Sequence, residues 1–175
     1  GVGTSTNGAG AFGASLNILS DASSEKPYAQ IANYLGSYMT HKHAIKFSTG
    51  KLKEHFELAG RFSKINSDGY IRASSDLKSY FRQGAYSNSN TLIKGLVFGG
   101  TEKTYLTYKG ISAEQLQKDR RYNPAGKYTV GGQTFFYDNE TDNYQQDHAQ
   151  LHWTQKWDEH WNTNLSLHYT KGKGY

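Results

Sequence analysis

The chain has 175 residues, the size of one ordinary domain, with a net charge of +5 and an apolar fraction of only 35%. Its 14 Tyr, 8 Phe and 3 Trp exclude a disordered chain, which is poor in aromatics. No apolar run approaches the roughly 18 residues of a membrane helix, and the absence of Cys excludes disulfides and thiolate metal sites.

The first 19 residues are rich in Gly, Ser, Thr and Ala and end in a β-like run, 15–19. Gly8, Gly10 and Gly13 spell G-x-G-x-x-G, but the dinucleotide fingerprint needs a strand before it and a helix after it. Close backbone packing, where a Cβ would clash, is the better account of these glycines. Residues 20–27 read as a linker. The chain starts inside a glycine-rich phrase without an initiator Met and stops directly after a strand-like segment, so a fragment is expected.

Strand-length segments follow at 28–35, 42–50, 56–65, 77–86, 91–100, 143–156 and 162–171. Their connections alternate in character. Residues 51–55, 87–90 and 157–161 are short turns, whereas 67–76 is longer and 101–142 is longer still. Short turns on one rim and long loops on the other are the pattern of outer-membrane barrels, while a long structureless excursion is unusual in a compact soluble domain. The fold class predicted is all-β and antiparallel.

The two final segments carry the sharpest pattern. Ala149, Leu151 and Trp153 share one parity against His148, Gln150, His152, Thr154 and Lys156. Leu165, Leu167 and Tyr169 likewise stand against Asn162, Asn164, Ser166, His168 and Thr170. Successive side chains on a strand point to opposite faces, so each segment has an apolar and a polar face. A transmembrane barrel strand alternates in this way, with aromatics near the interfaces. A half-buried soluble strand alternates too.

Several side-chain groups are candidate sites. Tyr105, Tyr108, Arg120, Arg121, Tyr122, Tyr128, Phe135, Phe136 and Tyr137 give the long loop the aromatic and cationic character of binding hot spots, suited to an anionic or catechol-bearing ligand. Packing of the loop onto itself is the competing account. The loop at 67–76 is a second candidate for ligand contact. Asp138, Glu140 and Asp142 resemble an oxygen-donor run for Ca²⁺, but the spacing is not that of an EF-hand, and a solvated polar loop is favoured. His41 with His43, and His148 with His152, share faces without the further ligands of a closed metal site, so no metal or cofactor is assigned. Lys118, Arg120 and Arg121 enclose Asp119 and form no basic stripe, so no nucleic-acid surface is expected. No nucleophile motif such as G-x-S-x-G occurs, and no catalytic residue is assigned.

Residues 3–18, GTSTNGAGAFGASLNI, resemble the end of the plug in TonB-dependent outer-membrane receptors, where a Gly-rich stretch leads into a short strand just before the barrel. Segments 67–71 (SDGYI), 121–126 (RYNPAG), 137–144 (YDNETDNY) and 167–175 (LHYTKGKGY) look like the early barrel of Bacteroidetes-type members. The resemblance implies a plug end at 1–19, a linker at 20–27 and, over 28–175, about seven strands of a plugged transmembrane β-barrel of about 22 strands. It implies a place in the outer membrane, contact with its lipid, and active import of a scarce large ligand such as a ferric siderophore or cobalamin. The driving partner would be the TonB complex, acting on a box absent from this stretch. His148, Gln150, His152, Asn164 and His168 would then face the lumen. The alternatives are a passive porin and a soluble all-β carbohydrate-binding or glycan-acting domain.

Overall fold

The computed structural model describes residues 24–175, and the expected plug end, the β-like run at 15–19 and the first half of the linker, 20–23, lie outside them. The chain is all-β. Strands β1 (Tyr28–Gly36), β2 (Thr40–Ser48), β3 (Phe56–Ser67), β4 (Ser75–Ser87) and β5 (Thr91–Tyr105) precede a short helix α1 (Ala113–Lys118). A small hairpin, β6 (Lys127–Val130) and β7 (Gln133–Phe136), leads to β8 (Thr141–Lys156) and β9 (Asn162–Gly174). The seven long strands form one antiparallel sheet in the order β1-β2-β3-β4-β5-β8-β9, and β6 pairs with β7 separately. The sheet is open, and β1 and β9 have no outer partner strand among the described residues.

All seven predicted segments are strands, several longer than expected: β4 starts at Ser75, β5 runs to Tyr105, β8 begins at Thr141 and β9 reaches Gly174. The long connection is therefore 106–140 and is not structureless, since it holds α1 and the β6–β7 hairpin. Ser112 caps α1 by accepting a hydrogen bond from the Gln115 amide. Gly131 and Gly132, at φ +57° and +82°, supply the two left-handed residues of a tight hairpin turn.

Connections 49–55, 88–90 and 157–161 lie on one rim, and 37–39, 68–74 and 106–140 on the other. Two of the short turns are closed by their own side chains. Asn88 Oδ1 accepts from the amides of Asn90 and Thr91, and Asp158 Oδ1 from those of His160 and Trp161.

Directly paired residues of neighbouring strands share a face, so the register sorts the whole sheet. On one face, Phe56, Tyr86, Ile93, Trp153 and Leu165 form a cross-strand row near the short-turn rim. The next row is Leu58, Gly84, Gly95, Leu151 and Leu167. Toward the long-loop rim the same face becomes polar, with His43, Lys64, Lys78, Thr101, Gln145 and Lys173 in one row. The apolar part is uncovered: Ile31 is 70% exposed and Leu167 54%.

The opposite face carries Lys46, Arg61, Gln83, Lys94, Gln150 and His168. It also holds most of the buried positions of the sheet, Ala44, Ser48, Glu57, Gln83, Ala85 and Leu96. The segment before β1 is tied to this polar face, because Glu57 Oε1 accepts hydrogen bonds from the Ser24 amide (2.9 Å) and the Ser48 hydroxyl (2.6 Å).

Candidate functional site

The three connections of the long-loop rim form one interlocked cluster. At its centre Arg72, from the β3–β4 loop, lies with its guanidinium 3.9 Å from the Phe136 ring centroid and 4.8 Å from that of Tyr105. Cation–π contacts of this kind strengthen as the cation is desolvated. Its Nη2 also donates to the carbonyls of Asn123 and Ala125, and its backbone amide to the Arg121 carbonyl.

Asn123 answers Arg72 from the other side. Its Nδ2 donates to the carbonyls of Arg72 (2.9 Å) and Leu106 (2.8 Å), and its Oδ1 accepts from the Ala125 amide (3.0 Å). Only 2% of Asn123 is exposed, so this amide is a structural pin with its polar atoms satisfied. The Tyr105 hydroxyl donates to the Tyr137 carbonyl (2.6 Å), with the Ala125 carbonyl 3.2 Å away. At Gly126, φ +69°, a Cβ would stand 2.5 Å from the Tyr105 hydroxyl, which demands glycine there.

The same cluster reaches the β1–β2 turn. Tyr38 packs edge-on to Tyr70 with 5.6 Å between ring centroids, and the Arg121 guanidinium lies 5.4 Å from the Tyr38 ring. Arg121 Nε donates to the Tyr70 carbonyl. On the β6–β7 hairpin, Tyr128 stacks with both Phe135 (5.6 Å) and Tyr137 (4.4 Å). Salt bridge Lys118–Glu114 is confined to α1.

The predicted loop candidates therefore separate into three groups. Tyr105 is buried and its hydroxyl is committed to the loop backbone. Tyr122 is half-buried, and Arg121 is exposed but held against Tyr38 and Tyr70. Tyr108, 74% exposed, Arg120, the half-buried Tyr128 and the exposed Tyr137 form the accessible aromatic and cationic surface. Arg72 and Asn123, which hold this surface together, lie in the two candidate loops but are not singled out there by any residue pattern.

His148, Gln150, His152, Asn164 and His168 do share the polar face. Gln150 pairs directly with His168; His148 Nδ1 lies 2.9 Å from Thr170 Oγ1, and His152 Nδ1 2.9 Å from Ser166 Oγ. The Thr154 hydroxyl donates to Asn164 Oδ1, and Phe98 stacks on His148 at 4.7 Å. His41 and His43 stack on the other face with 6.5 Å between ring centroids. Among the described residues no group of three or more His, Asp or Glu side chains is placed to hold a metal, and Asp138, Glu140 and Asp142 do not converge on one point. No protein-family model, curated protein or solved structure matches the chain.

Proposed function

We propose that this sheet is a section of the wall of an outer-membrane β-barrel of the TonB-dependent receptor type, whose parent binds and actively imports a scarce large ligand such as a ferric siderophore or cobalamin. The observation that carries the reading is the uncovered apolar face. Ile31, Ile45, Leu58, Val97, Leu151 and Leu167 stand exposed on one side of a two-faced antiparallel sheet, and a bilayer is the solvent that suits them. The two edges without a partner strand among the described residues support it as well, because strands in lipid require a closed ring of partners and further strands would supply them. Ser24, just ahead of β1, is hydrogen-bonded to Glu57 on the polar face, the side that a plug inside a barrel would occupy.

Ligand contact falls to the rim cluster, through Tyr108, Arg120, Tyr128 and Tyr137, and the polar face carrying His148, Gln150, His152, Asn164 and His168 lines the passage. No bond-making step is assigned to any residue.

The test is to delete the gene in its host and measure uptake of labelled ferric siderophores, cobalamin and oligosaccharides with and without an uncoupler. Energy-dependent uptake lost on deletion is expected. Uncoupler-insensitive uptake would indicate a passive porin. A protein that is monomeric, soluble and cooperatively folded without detergent would indicate the soluble carbohydrate-binding or glycan-acting domain.

A further inference from the structure

Two lysines face each other across β3 and β4: Lys64 is the direct partner of Lys78, on the same face as the apolar rows. Like charges directly opposite destabilise a strand pair. Among the described residues neither lysine has an ion-pair partner. Arg82, four residues further along β4, shares the face and lies with its guanidinium 5.4 Å from the Phe62 ring and 5.9 Å from the Tyr80 ring. Those rings occupy the cross-strand row between Arg82 and the lysines, so the long side chain brings its charge toward them.

A cleft of about 760 Å³ is lined by all three cations, and Ile45, Phe62 and Val97 form its apolar side. Asp147 also lines it, with Oδ1 accepting from the Tyr80 hydroxyl and Oδ2 from Gln145. Asp76, on the same face, forms no ion pair with either lysine. With three cations against the one Asp147 carboxylate, the cleft joins excess positive charge to hydrocarbon-like surface at the boundary where the face turns from apolar to polar.

We propose that Lys64, Lys78 and Arg82 hold the phosphate of a membrane lipid headgroup, while the lipid's acyl chains lie on Ile45, Phe62 and Val97. The anion relieves the Lys64–Lys78 repulsion, and charge-assisted hydrogen bonds from three cationic side chains match a phosphate's oxygens. A free phosphate would satisfy the charges and leave the apolar side of the cleft unused. The inference rests on the membrane-wall reading, and the experiment separates the two.

The full-length protein, purified in neutral detergent, is mixed with phosphatidic acid or phosphatidylcholine and examined by native mass spectrometry. Preferential retention of phosphatidic acid is expected, falling about tenfold or more in K64Q/K78Q/R82Q and persisting in K64R/K78R. Should the triple variant not fold, K78Q alone is expected to weaken retention several-fold. Equal retention of the two lipids, or of phosphatidic acid by wild type and variant, would overturn the proposal. Displacement by millimolar inorganic phosphate would overturn it in favour of a free-anion site. Should the protein be soluble without detergent, the membrane reading falls, and the same comparison with short-chain phosphatidic acid decides the headgroup site alone.

Discussion

The Phe47 ring fills the space that a side chain at Gly60 would need. These residues are direct partners across β2 and β3, and a Cβ built on Gly60 would lie 2.6 Å from Phe47 Cζ. An aromatic ring laid over a strand glycine restores the contact surface that the glycine lacks and fixes the pairing register. Gly60→Val forces that ring away and is expected to destabilise the fold by about 1–3 kcal/mol, read as a lower unfolding midpoint. The double variant F47A/G60V should recover part of the loss. A single variant as stable as wild type would show that Phe47 does not hold this position.

Asn123→Ala removes the pin of the long loop. The carbonyls of Arg72 and Leu106 and the Ala125 amide lose their partner in a buried setting. The expected cost is about 1–3 kcal/mol, confined to the loop cluster because no strand of the main sheet depends on that amide. Hydrogen exchange should accelerate over 106–140 and 68–74 and stay unchanged in β3, β4 and β8. Uniform acceleration across the sheet would contradict a local role.

The β6–β7 hairpin offers a way to disturb the proposed ligand surface without touching the sheet. Gly131 and Gly132 both have positive φ, and nothing lies within 4 Å of either added Cβ, so a substitution meets backbone strain alone. Replacing both with Ala should cost roughly 1–2 kcal/mol per residue and loosen the stack of Phe135, Tyr128 and Tyr137. Ligand affinity is expected to fall while membrane assembly is retained. Unchanged affinity would remove the hairpin from the binding surface.

The same hairpin marks how far the sequence could be read. The long strands were legible because alternation persists over many residues, and the register places Leu151 opposite Leu167 and Gln150 opposite His168, in keeping with their parity. Strands of four residues leave too little periodicity to register, yet Gly131-Gly132 between Tyr128–Val130 and Thr134–Phe136 is a turn signal that was available. Tyr105 was a candidate contact because the ring and hydroxyl that suit a ligand suit a buried strut equally well. Asn123-Pro124 carried only a turn signal, answered by the Ala125 amide two residues on, since its other partners Leu106 and Arg72 are 17 and 51 residues away in sequence. The loop's shape depends on pairings that no short window contains.

Neighbouring residues of β9 give the sharpest test of the two faces. Leu167 lies in an apolar row with Leu58 and Leu151, while His168 lies opposite Gln150 on the other side. Leu167→Lys is expected to cost about 2–4 kcal/mol if that row sits deep in a bilayer, and His168→Lys close to nothing, because a lysine facing water keeps its hydration. The amount of folded protein recovered from outer membranes should therefore drop for the first variant alone. A soluble sandwich would also penalise Leu167→Lys, so a second readout is needed. Trp153 shares the apolar face and packs edge-on to Trp157 at 6.3 Å. In a bilayer of brominated lipid its emission should be quenched, and the quenched component should shrink in Trp153→Phe. Emission insensitive to the bromine would place this face against protein rather than lipid and end the membrane reading.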